Sequence, residues 1–164
     1  MARTVVAAQV LEPQVRKRAR VLSWLREERK IDEPALARAE MVAARTGQPA
    51  EQVLNQLGAL PDEDLVLAYA AVAGCPIWDP ETTPFATDFN QLGVSVEFLR
   101  RTRMLPLASV GNSLVLAVGD PLDDEALSGM VFATGRTISI QVARPGDLRR
   151  GLDLAFGPVD HAPI

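Results

Sequence analysis

Chemically reactive side chains are scarce in this 164-residue chain, which holds one cysteine, one histidine and two lysines. Cys75 cannot close an internal disulfide, and its apolar setting from Ala70 to Ile77 makes it a small hydrophobe rather than a reactive thiol. The lone histidine, His161, follows the last predicted helix, so neither a Ser-His-Asp or Cys-His arrangement nor a histidine-rich metal site can form in the folded part. With only Lys17 and Lys30 and no G-x-x-x-x-G-K-[ST] loop, the chain cannot hydrolyse a nucleoside triphosphate in the P-loop manner. No run of about 18 apolar residues exists to cross a membrane. The stretch from Met1 to Ala8, soon interrupted by Glu12, is too short for a signal-peptide core. A non-enzymatic cytoplasmic chain is expected. Its net charge of -4 and pI near 5.0 argue against a general nucleic-acid binder.

Apolar material is ample, at 48% of residues, and supports one ordinary domain or two small ones. Charge divides unevenly along the chain. Residues 1–50 carry ten Lys/Arg against six Asp/Glu, and residues 51–164 carry seven against fifteen. Two regions with different surfaces follow.

In the first region, Val15, Ala19, Leu22 and Leu25 recur at helical spacing between charges. Asp32 suits the N-cap of a second helix, with Pro34 in its first turn and Thr46-Gly47 as its stop. A short helix over 49–56 ends at Gly58, and a fourth opens on Asp62-Glu63-Asp64 and stops at Gly74. A shift of 29 residues superposes Leu25 on Leu54, Ile31 on Leu60, Leu36 on Leu65 and Ala39 on Ala68, a degenerate duplication of a helical hairpin. One hairpin cannot bury its own apolar face, so two are expected to pack as a four-helix layer.

Residues 78–94, rich in proline, threonine and acid, read as a linker. Beyond it, Ser95 caps a helix to Arg103, and the apolar runs 104–110 and 114–118 flank a Gly111-Asn112 hairpin turn. A helix from Asp123-Asp124 to Gly135, a strand over 137–143 and a helix to Phe156 complete the region. The expected fold is therefore α+β. It divides into a flexible segment (1–14), a helical subdomain (15–77), the linker, an α/β subdomain with roughly three strands (95–157) and a tail (158–164).

The acidic cluster Asp120 to Glu125 lacks the alternating ligand spacing of a calcium loop and is explained by helix capping and the dipole. The basic run Arg16-Lys17-Arg18-Ala19-Arg20, continued by Arg26, Arg29 and Lys30, cannot all share one helix face, yet a guanidinium cluster within it can hold a phosphate or an acidic partner.

Several motifs in order carry a family likeness: Phe98-Leu99 and Arg101, Met104-Leu105-Pro106-Leu107, Asn112 to Val118, Asp120-Pro121-Leu122-Asp123, Leu127, and Thr134-Gly135. The helical half adds Leu57-Gly58-Ala59-Leu60, Asp64-Leu65 and Gly74-Cys75-Pro76. From about residue 15 to 157 the chain resembles the N-terminal domain of type II secretion system protein E, in the secretion and type IV pilus assembly ATPase family. The resemblance implies a docking role without a cofactor. In that family the N-terminal region binds the cytoplasmic domain of an inner-membrane platform protein, coupling ATP hydrolysis downstream to pseudopilus assembly and protein secretion. The implied location is cytoplasmic and peripheral to the inner membrane, with no direct insertion. No downstream ATPase domain lies within these residues, so the chain looks like an excised fragment or a freestanding copy of the module.

For docking, the expected exposed contact residues are Arg18, Arg20, Val21, Trp24 and Leu25. A related branch binds cyclic di-GMP through a duplicated helical motif beginning Arg-Leu-Gly, with a later glycine. Here the first copy reads Arg20-Val21-Leu22, with Arg29 at the glycine position, and the second reads Pro49-Ala50-Glu51, with Gly58 retained. Arg20 and Gly58 are the nucleotide-site residues of this alternative. A third reading, a module appended to a membrane glycosyltransferase, uses the same domain.

Overall fold

A computed structural model describes residues 3–5, 14–85 and 92–158. Most of the terminal segment, residues 86–91 of the linker, and the tail from 159 with His161 lie outside the described residues. The helical half comprises α1 (Gln14–Glu27), α2 (Glu33–Thr46), α3 (Ala50–Gln56) and α4 (Asp62–Ala73). After it come α5 (Val96–Thr102), β2 (Met104–Val110), β3 (Ser113–Val118), α6 (Asp124–Thr134), β4 (Thr137–Val142) and α7 (Pro145–Phe156). A short β1 (Arg3–Val5) pairs antiparallel with β4, so the three expected strands gain a fourth, in the order β1-β4-β3-β2.

Local chemistry sets the helix boundaries. Asp32 accepts the Ala35 N–H at 2.7 Å and Ser95 accepts the Phe98 N–H at 3.0 Å, each satisfying an orphan donor of a first turn. Gly47, Gly74 and Gly135 end α2, α4 and α6 in the left-handed conformation.

The duplication is visible in backbone geometry. The turn after α1 closes with Lys30 N–H on Leu25 O at 2.9 Å, and the turn after α3 closes with Ala59 N–H on Leu54 O at 2.9 Å, each pair shifted by the same 29 residues. Gly58 sits at φ +77° without strain, whereas Arg29 at the equivalent place is held at φ +57°. A side chain there clashes with backbone at a cost of about 1–2 kcal/mol. Arg29→Gly is therefore expected to raise the unfolding free energy by about 1 kcal/mol, the larger unfolded-state entropy of glycine offsetting part of the relief. Urea denaturation measures it, and an unchanged or lower midpoint would contradict the strain.

Strands β2 and β3 form the hairpin, and β3 and β4 run parallel through the α6 crossover. One sheet face, with Leu114, Leu116, Val118, Ile138, Ile140 and Val142, joins Leu127 and Met130 of α6 and the buried faces of α1 to α4 in one continuous core. The opposite face, with Leu105, Leu107 and Ala117, is covered by Leu148 and Leu152 of α7 and by Trp78. Register slips between Pro106 and Ala108, which leaves Leu107 as an extra residue on the edge strand β2.

Two features tie the helical half to the ends of the parallel strands. Residues 76–78 add to β4, with Val142 N–H on Pro76 O at 2.9 Å and Trp78 N–H on Val142 O at 2.8 Å, so the start of the expected linker is part of the sheet and core. At the start of α7, Arg144 grips Glu63 of α4 through Nε–Oε2 at 2.5 Å and Nη2–Oε1 at 3.1 Å, which holds the Glu63 carboxyl below its usual pKa.

Candidate functional site

The basic run on α1 divides by helix face into a buried part and an exposed part. Arg18 turns inward. Its Nη1 lies 2.7 Å from Glu51 Oε1 on α3, and its Nη2 lies 2.6 Å from Asp120 Oδ2 in the β3–α6 connection. Gln52 donates to the same Asp120 oxygen at 2.8 Å, and the Tyr69 hydroxyl donates to Glu51 at 2.9 Å. Glu51 is only 1% exposed, a charge that is tolerable because two donors satisfy it. Burial alone would lower the Arg18 pKa, but its hydrogen bond to Asp120 and the nearby carboxylates raise it overall, so the guanidinium stays charged. Lys17, also buried, faces Asp124 at 3.7 Å.

The phenol of Tyr69, the chain's one tyrosine, is pushed well above its ordinary value of 10.0 by burial first and by the charges of Asp120 and Glu51 next. The folded state therefore keeps a proton that the unfolded chain releases near pH 10, and this contribution is full below that pH and lost as pH rises above it. Between about pH 9.5 and 11, stability is expected to fall more steeply in the parent than in Tyr69→Phe, by up to about 1.4 kcal/mol per pH unit. Parallel urea curves on the two proteins test this, and identical slopes would contradict it.

The exposed part of α1 presents Arg20 and Trp24. With Ser23 and Glu27 of the same helix and Ala71 and Val72 of α4 they border a shallow groove of about 290 Å³. The exposed Arg20 guanidinium donates to the Val72 carbonyl at 3.1 Å, and Trp24 is half-buried beside it. Val21 and Leu25 correct the sequence expectation. Both are fully buried, because α1 turns that stripe into the core, so they are not surface contacts. Arg18, at 19% side-chain exposure, is bound within the protein. Gly58 lies in the turn after α3 and does not border this groove.

Sequence reasoning missed Glu51 and Asp120 as partners of Arg18. One signal existed for Glu51, an acid two and three residues before the buried Val53 and Leu54 on a short helix. The acidic cluster itself is accounted for locally: Asp123 caps α6 through Ala126 N–H at 3.1 Å, and Asp120 accepts Leu122 N–H at 3.0 Å. Among the described residues, no acid, histidine and cysteine group is arranged to hold a metal ion, and no helix is long and apolar enough to cross a membrane.

Comparison with known proteins matches the MshEN domain family model over residues 73–162. Type II secretion system protein E of Xanthomonas campestris pv. campestris is 30% identical over 142 residues, covering 84% of this chain and 25% of that protein. The chain thus spans about a quarter of that relative's length, and no ATPase domain is evident in it. The N-terminal domain of XpsE has the same fold, with TM-score 0.73 at 24% identity over 84% of this chain and 94% of that one. A structure of MshE with cdg matches with TM-score 0.67 at 24% identity over 84% of this chain and 99% of the other. The α+β architecture of a helical layer followed by an α/β unit is that of the XpsE N-terminal domain. This chain belongs to the MshEN domain family, and type II secretion system protein E is among the proteins it resembles.

Proposed function

We propose that this domain is a non-catalytic docking module that holds a secretion ATPase against the cytoplasmic domain of an inner-membrane platform protein, linking ATP hydrolysis elsewhere to pseudopilus assembly. The observation that carries the reading is the α1–α4 groove, where an exposed arginine and a half-buried tryptophan lie side by side over Val72. Tryptophan and arginine are the residues that most often dominate binding energy at protein interfaces. The exposed Arg16 of α1 favours an acidic partner face, whereas Arg26 is already paired with Glu33 at 2.9 Å. Immobilised platform domain is expected to capture the purified chain, with Trp24→Ala and Arg20→Glu each weakening capture about tenfold or more. Unchanged capture by both variants would remove the groove from the interface.

A second reading, a cyclic di-GMP sensor, is supported by the likeness to MshE, solved with cdg, and by the left-handed turns that Arg29 and Gly58 share. Glu51 weighs against it as a direct phosphate contact, since both Arg18 and Tyr69 occupy that carboxylate. Calorimetric titration with cyclic di-GMP separates the two, because saturable heat lost in Arg20→Ala marks a sensor and the absence of heat leaves docking.

A further inference from the structure

We propose that the cleft between the helical layer and the carboxyl ends of β3 and β4 binds a small phosphate-bearing organic ligand, separately from the α1–α4 groove. In open α/β sheets, ligands settle in the crevice outside the carboxyl ends of the strands. Here that crevice is a cavity of about 610 Å³, walled by α3 and the start of α4 on one side and by α5 and α7 on the other. Three arginines line it, Arg100, Arg103 and Arg149, together with Gln56 and the apolar Leu65, Leu148 and Leu152.

The arginines differ in what already holds them. Arg100 is engaged by Asp153 at 3.5 Å and by the Gly157 carbonyl. Among the described residues, neither the Arg103 nor the Arg149 guanidinium makes a hydrogen bond or ion pair. Two carboxylates also border the cleft. Asp153 belongs to Arg100, and Asp62 is taken up by Asn55 Nδ2 at 2.8 Å and by the Gly146 N–H at 3.1 Å. Three cations against two anions leave one positive charge, carried by the two unengaged forks.

Arg103 is held there at a cost. Its backbone is left-handed at φ +56°, unfavourable for a residue with a Cβ, and its carbonyl accepts the Gly119 N–H at 3.1 Å. The guanidinium lies against Gly119, where a Cβ would come within 2.8 Å of Nη2. Strain at Arg103, a bare backbone beneath its guanidinium and no internal carboxylate partner describe a cation kept for an external oxyanion. Phosphate suits two unengaged guanidinium forks because each takes a pair of its oxygens. The apolar lining residues suit an attached organic group.

The test is calorimetric titration of the full chain with inorganic pyrophosphate and with AMP at about 50 mM salt, where screening is modest. Both are expected to saturate. Binding is expected to weaken about tenfold or more in Arg103→Gly and in Arg149→Gln, and to stay unchanged in Arg20→Ala. Arg103→Gly relieves the left-handed strain as it removes the cation, so a loss of binding in a variant at least as stable as the parent cannot be a loss of fold. Arg149 is exposed, and its variant supplies the same answer independently. No saturable heat, parent-like affinity in both arginine variants, or binding of pyrophosphate without AMP would each overturn the proposal.

Discussion

Arg18→Ala is expected to lower the unfolding free energy by about 3–5 kcal/mol, the range for leaving a buried charge without its partner. Two carboxylates lose their cation at once, Glu51 on α3 and Asp120 after β3, and water reaches the first poorly because its side chain is only 1% exposed. The effect should come chiefly from the stranded charge rather than from lost attraction, and a second substitution separates the two. In Arg18→Ala/Glu51→Gln the buried group is neutral, still accepts from Tyr69, and is expected to recover a substantial part of the loss. Urea denaturation of the parent, single and double variants measures each step. A single-variant cost below about 1 kcal/mol would mean that the ion pair behaves as a solvent-exposed one.

Trp78→Ala should cost about 3–5 kcal/mol, as truncation of a buried aromatic leaves a cavity that neighbours fill only in part. The indole is 1% exposed among Leu105, Ala117, Ala143 and Leu148, and its Nε1–H donates to the Thr83 carbonyl at 2.7 Å. Trp78→Phe keeps much of the apolar area but strands that carbonyl, and is expected to fall between parent and alanine variant. Near-ultraviolet dichroism with denaturant titration follows both. Near-parent stability of the alanine variant would place Trp78 outside the core.

Trp78 also marks where sequence reasoning stopped. Helix ends were legible because their causes are local: Asp32 and Ser95 accept N–H groups three residues on, and glycines end α2, α4 and α6. The β2–β3 hairpin was legible because two apolar runs flank Gly111-Asn112. Trp78 stands among proline, threonine and acid with no period around it, and it is drawn inward by a bond to Val142, 64 positions away, and by packing on distant residues such as Leu105 and Leu148. The same limit governed the site. Helical spacing picks out Val15, Ala19, Leu22 and Leu25 on α1, yet Val15 and Ala19 are exposed and it is Val21, outside that stripe, that is buried with Leu25. Arg18 finds its partners 33 and 102 positions along the chain, distances over which composition carries no signal. Arg103 and Gly119 meet through a left-handed residue that nothing in an arginine announces.

The edge strand β2 bears on how these domains behave when crowded. An unpaired edge is a template on which a neighbour's strand can add, and proteins that work in many copies at one place are most exposed to that hazard. Pro106 deprives β2 of one backbone donor, and the surplus residue at Leu107 breaks the two-residue alternation a recruited strand would need to follow. A sheet finished this way resists continuation by another copy past β2, which helps molecules stand shoulder to shoulder without knitting into a fibre.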